Sequence, residues 1–200
     1  MRTDEITVSS NGKRMETALA QVDKVAAYKG LSAKDALHLR LLTEEMMGLM
    51  RSVTGETEGT FWIEDEDGEY RLHLKVATLM DSEKREQLLS VSSSGKNESA
   101  RGLMGRLRDF FDWGSDGDLL SGSSPLVLPD MFEQSTTPLL DWEWSMRTYE
   151  TVLSSRLEQN DPAAIEAWDE LEKSVVAKLA DEVQVYLKGS VAELVIFKKF

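Results

Sequence analysis

Apolar residues recur along this chain with two different periods, and the changes of period divide it into elements. In "DEITVSS" Ile6 and Val8 alternate with polar neighbours, the mark of a short half-buried strand that Asn11 and Gly12 end. From Lys13 to Lys29 the apolar positions are Met15, Ala18, Leu19, Val22, Val25 and Ala26, one face of a helix, with Gly30 as its stop. Ser32 can cap a second helix that runs to about Val53, with Asp35 adding negative charge to its first turn and Gly55 beyond its end. Next come "TFWIE" and "EYRLHLKVATL", separated by "DEDG". Tyr70, Leu72, Leu74 and Val76 alternate with Arg71, His73 and Lys75, so an antiparallel hairpin with one buried and one wet face is expected. His73 falls on the wet face and reads as an ordinary surface histidine.

The pattern then loosens. "DSEKREQLLSV" reads as a short helix, "SSSGKNESARG" as a mobile loop, and "RGLMGRLRDFFDW" as a helix with Leu103, Leu107, Phe110 and Phe111 in its stripe. From Gly114 to about Asp141 the chain holds three of its four prolines, which predicts a long irregular insertion. Two helices are expected at roughly 142–158 and 162–179, the second capped by Asp161 with Pro162 at its first position. Val183, Val185 and Leu187 alternate, Gly189 and Ser190 turn, and Val191 to Phe197 close the chain as a more apolar strand. Strands fall in pairs with helices between them, which predicts an α+β fold: a two-layer sandwich of one sheet with helices on one face. A length of 200 residues favours a single domain, residues 1–200, with the insertion at about 114–141 and extra helices at about 142–179.

Composition narrows the chemistry. With 23 basic and 36 acidic side chains the formal charge is −13, and no basic cluster offsets it, so neither nucleic acid nor an anionic membrane is an expected partner. "MRTDEITVSS" lacks a basic-then-apolar leader pattern, and no apolar run approaches the ~20 residues that span a bilayer, so a cytoplasmic location is expected. The absence of cysteine excludes disulfides and thiol catalysis and fits a reducing compartment. Only two histidines occur, His38 and His73, in no ligand spacing, so no zinc site or histidine triad is expected.

The segment "LLTEEMMGLM" puts Glu44 and Glu45 in a mostly apolar run. At about 100° per residue, Leu39, Leu42, Met46, Leu49, Met50 and Val53 share the sector expected to face the sheet. Glu44 lies nearly opposite, beside Leu37, Leu41 and Gly48, and Glu45 near the edge of the core stripe. Two readings follow: both glutamates are solvated, or Glu44 lines a cavity opened by Gly48.

"LRLLTEEMMGLMRSV", preceded by "METALAQVDKVAAYKGLS" and followed by the hairpin, resembles the start of the histidine-kinase-like ATPase (GHKL) superfamily, closest to the small anti-sigma-factor serine kinases. "SARGLMGRLRDFF" resembles the family's later glycine-rich box, and the terminal hairpin its last two strands. The resemblance covers nearly the whole chain outside the insertion. It implies the Bergerat fold, a two-layer α/β sandwich with one mixed sheet, holding ATP or ADP with Mg²⁺ between a lid and the helix that carries Glu44. Glu44 matches the glutamate that polarises the attacking group; Thr78 lies near the adenine-reading position, and Lys96, Arg101 and Gly102 near the phosphates.

This chain departs from the family pattern at Gly48, where the family has the Asn that holds Mg²⁺, and Gly offers no side-chain oxygen. The adenine-reading Asp is replaced around Thr78, Leu79 and Met80, with Asp81 three residues late, and Ala100 stands where the box has its first glycine. "GKN" is no Walker motif, because the GxxxxGK[ST] frame is absent. Three functions are therefore expected to compete. One is a regulatory protein with a degenerate ATP site that binds nucleotide with weakened or lost catalysis. Another is an active kinase or ATPase of this type. The third binds no nucleotide and acts on another protein, such as a transcription regulator, or on itself, with Met47, Leu79 and Met80 filling the pocket. In that case "PLVLPDMFEQSTTPLLDWEW", with Trp142 and Trp144, is a candidate docking surface, unless those tryptophans pack the insertion onto the domain.

Overall fold

The computed structural model describes residues 1–9, 12–54, 58–77, 141–188 and 191–200. Its first elements follow the sequence periods closely: strand β1 (Ile6–Ser9), helix α1 (Gly12–Lys29) and helix α2 (Ala33–Thr54). Ala18, Leu19, Val22, Val25 and Ala26 of α1 are buried, as their spacing requires. α1 stops where Gly30 takes φ +66°, and the N–H groups of Leu31 and Gly30 donate to the Ala26 and Ala27 carbonyls at 3.0 and 3.2 Å. That paired closure satisfies two carbonyls the helix end would otherwise leave open. Two residues later Ser32 caps α2, its Oγ accepting from the Asp35 N–H at 3.2 Å and donating to Asp35 Oδ2 at 2.7 Å.

The hairpin is tighter than its acidic linker implies. Strand β2 (Glu58–Glu66) takes in Asp65 and Glu66, and only Asp67 and Gly68, with φ +52° and +83°, separate it from β3 (Glu69–Ala77). Two consecutive left-handed residues make the turn whose twist suits a right-twisted strand pair.

Residues 142–145 correct the expected helix. Asp141–Ser145 form strand β4, and helix α3 (Met146–Leu157) begins only after Ser145, whose Oγ accepts from the Thr148 N–H. "DWEWS" has a period of two, and pairing with a distant strand decides its conformation. The next expected helix is divided: α4 (Pro162–Lys173) ends, and Ser174 caps a short α5 (Val175–Leu179) by accepting from the Ala177 N–H. Pro162 does open α4. Strands β5 (Glu182–Lys188) and β6 (Val191–Lys199) complete the described elements. The helices and loops expected between 78 and 140 lie outside the described residues.

The six described strands form one sheet in the order β1-β2-β3-β6-β5-β4, and every pairing among them is antiparallel, where the family resemblance implied a mixed sheet. The register aligns Phe61, Leu74, Leu194, Val185 and Trp144 in one row across five strands, and Ile63, Leu72, Ile196 and Val183 in the next. These rows share one core with Leu39, Leu42, Met46 and Leu49 of α2, Val22 of α1, Leu153 of α3 and Leu171 of α4. The fold is thus α+β, with one open antiparallel sheet and its apolar face under helices. At Gly59 of β2 the packing leaves no room for a side chain. A Cβ there would stand 2.9 Å from the Lys75 carbonyl oxygen and 3.2 Å from Met50 Sδ. Trp144 is partly buried against that core and meets Tyr149 at a ring separation of 6.0 Å, so its indole packs inward.

Candidate functional site

α2 divides its faces as the helical wheel requires. Leu39, Leu42, Met46, Leu49 and Met50 are buried toward the sheet; the Val53 side chain is outside the described set. Met47 is also fully buried in the shared core, and buried Thr43 donates from Oγ1 to the Leu39 carbonyl at 2.9 Å. On the opposite side Leu37 is 52% exposed, Leu41 half-buried, and Gly48 exposed, with no atom of the described residues outside its own helix backbone and chain neighbours within 4 Å of where a Cβ would stand.

Glu44 belongs to that outer side, with 37% of its side chain exposed. Its carboxylate lies 3.6 Å from Arg40 Nε, one turn back, and Arg40 also reaches Asp23 of α1 at 2.7 Å. Glu44 is therefore held by an arginine anchored on the neighbouring helix. A carboxylate paired in this way keeps a lone pair for a further donor, and its partner can meet an anion. Glu45 is half-buried. Thr78, Lys96, Arg101 and Gly102 lie outside the described residues, as do Leu79 and Met80, so of the expected site residues the structure positions Glu44 alone. Among the described residues no group of three or more His, Asp or Glu side chains is arranged to hold a metal ion.

A second cluster, on the sheet face away from the core, escaped the sequence reading. His73 is not an ordinary surface histidine: its side chain is 12% exposed and its ring stacks on Trp62, with centroids 4.6 Å apart and planes 9° apart. The Arg2 guanidinium also lies over the indole, 5.3 Å from its centroid. His73 Nδ1 lies 2.9 Å from Glu193 Oε1, and Nε2 lies 3.6 Å from Glu64 Oε2. Glu64 Oε1 accepts from Trp62 Nε1 at 3.2 Å and faces Arg2 Nε at 3.6 Å. The Glu193 carboxyl is held below its usual range, first by the hydrogen bond from His73, against the opposing effect of burial. The signal for this cluster was present: a two-residue turn at Asp67 and Gly68 sets Trp62 directly opposite His73.

A third polar group is structural. The Asp65 side chain is 3% exposed and pairs with the Lys29 ammonium at the end of α1. That hydrogen bond raises the Lys29 pKa above its usual value, and Tyr70 is raised too, by burial first and then by the Asp65 charge.

No helix among the described residues is long and apolar enough to cross a membrane. No protein-family model matches the chain, and no curated protein matches it.

Proposed function

We propose that this chain is a regulatory nucleotide-binding protein of the histidine-kinase-like ATPase type, whose phosphate chemistry is weakened or lost. The observation that carries this reading is the outer side of α2. There a half-exposed Glu44 stands one turn from an exposed Gly48, where an added Cβ would meet no atom of the described residues outside its own helix backbone and chain neighbours. A ligand can reach that side, but position 48 offers no side-chain oxygen to a magnesium ion. ATP or ADP is the expected ligand, and Mg²⁺ adds little to its binding.

Thermal unfolding with millimolar ATP or ADP, each with and without Mg²⁺, tests this reading. A nucleotide at 100 times its Kd stabilises the native state by about 2.7 kcal/mol, and for a chain of this size each kcal/mol moves Tm by roughly 2–4 °C. A rise of similar size with and without Mg²⁺ is expected, and its loss in Lys96→Ala or Arg101→Ala would assign the phosphate contacts. Unchanged melting with every nucleotide sinks the reading.

A second reading rests on Leu37. An aliphatic side chain 52% exposed on the same side as Glu44 and Gly48 suits contact with another protein, a transcription regulator or a second copy of the chain, without nucleotide. In that case Leu37→Asp abolishes capture of the partner while leaving stability within about 0.5 kcal/mol of the parent's.

A further inference from the structure

The sheet face opposite the core carries a histidine with both ring nitrogens aimed at carboxylates. Nδ1 is within hydrogen-bond reach of Glu193 Oε1 on β6, so the neutral ring spends its single N–H there. Nε2 is then an acceptor, buried and without a hydrogen-bond partner among the described residues, 3.6 Å from Glu64 Oε2 on β2. Two lone pairs face each other across that gap. A proton from solvent on Nε2 converts the opposition into a charge-assisted hydrogen bond and gives each carboxylate its own donor. No other bond is made or broken.

Glu64 also connects His73 to the first residues described. Its Oε1 faces Arg2 Nε, and Arg2 forms a β-bridge with Glu64 while covering Trp62. Beside it the Thr3 N–H donates to the Ile63 carbonyl at 2.9 Å, and the Asp65 N–H to the Met1 carbonyl at 2.8 Å. We infer that His73 is a proton-operated latch: when charged, it fixes Glu64 and with it the Arg2 stretch to the sheet, and when neutral it releases Glu64.

The described groups around the ring come from four elements. β2 contributes Glu64 and β6 contributes Glu193. Arg71 and Lys75 flank His73 on β3, Arg71 being tied to Glu66 and Glu69 while Lys75 stands opposite Glu193. Arg2 approaches through Trp62, and β5 presents uncharged Gln184 opposite Val195.

Amide exchange by NMR tests the latch in the full chain, read as protection factors for Thr3 and Asp65 at about pH 5.5 and about pH 7.2. The interval brackets ordinary imidazole titration while ordinary Asp, Glu and Lys side chains stay charged. Protection of both amides is expected to be roughly threefold to tenfold higher at the lower pH, and this difference disappears in Glu64→Gln and in His73→Gln. Equal protection at the two pH values overturns the latch, as does a difference that survives in His73→Gln, since His38 or another group would then be its source. Should either variant fail to fold, the imidazole ¹⁵N spectrum of the parent chain decides. A slowly exchanging Nε2–H on His73 at pH 5.5 supports the bond to Glu64, and a freely exchanging one refutes it.

Discussion

Gly59→Ala sets two physical effects against each other, and the structure gives the sign of the sum. In a strand interior, exchanging Gly for Ala ordinarily gains about 0.5–1 kcal/mol, because glycine loses the most backbone freedom on folding. Here the added methyl group would meet three atoms at once: the Lys75 carbonyl oxygen at 2.9 Å, Leu74 Cδ1 at 3.2 Å and Met50 Sδ at 3.2 Å. The thioether can swing aside, since methionine has three rotatable bonds. The carbonyl cannot, because β3 is fixed on one side by β2 and on the other by β6. Overpacking against fixed backbone costs roughly 1–3 kcal/mol, so after the entropic gain a net loss of about 0.5–2 kcal/mol is expected. Urea titration monitored by circular dichroism measures it as a lower midpoint with an unchanged slope. Adding Met50→Ala to Gly59→Ala separates the contacts: a backbone-limited clash leaves the two costs additive to within about 0.5 kcal/mol. A Gly59→Ala variant as stable as the parent would refute the argument, and strong rescue by Met50→Ala would assign the cost to the sulfur.

Other substitutions probe the remaining polar groups. Glu44→Ala is expected to change stability by no more than about 0.5 kcal/mol in either direction, since the side chain is partly exposed and its pairing with Arg40 is screened by solvent; a loss of several kcal/mol in urea titration would make Glu44 a structural anchor instead. Glu182→Ala removes the acceptor for the Val183 and Arg147 N–H groups, bonded at 2.9 and 3.3 Å. A cost of about 1–3 kcal/mol and faster amide exchange at Arg147 should result. Because the folded Glu193 carboxyl ionises below its usual value of 4.5, its contribution is complete above that pH and is lost as pH falls through the lower folded value. Acid unfolding of Glu193→Gln should therefore be shallower than that of the parent below about pH 4.5, and parallel curves would show that this carboxylate does not contribute.

Local signals read well where the chain supplies its own partner. Gly30 and Ser32 fixed the boundary between α1 and α2, and the wheel placed Glu44 away from Leu42 and Met46, as the structure has it. Reading failed where a distant strand decides. Trp142, Glu143 and Trp144 alternate too briefly to declare a strand, and their conformation depends on pairing with Leu187, Tyr186 and Val185. The direction in which β6 runs beside β3 has no local signature either, so an antiparallel sheet could not be told from a mixed one. His73 was placed on the correct face but not in its stack, because alternation assigns a side and says nothing of what lies over the ring. Arg40 could have been suspected from its i,i+4 spacing to Glu44, whereas Asp23 reaches it only because α1 and α2 pack together.

The order of strands divides the sheet into two halves that can each form nearby: β1, β2 and β3 from the first 77 residues, and β4, β5 and β6 from residues beyond 140. They meet at a single seam, β3 against β6, where His73 and Glu193 make contact across 120 residues of chain. Turns of two residues close in microseconds, whereas a seam of such separation must wait for the two ends of a long segment to find each other. During that wait β3 and β6 each present a free edge of unpaired amides and carbonyls, which is the form of surface that recruits foreign strands. The seam that completes the sheet is therefore also where the nascent protein is most exposed to aggregation, and where a chaperone would have the most to protect.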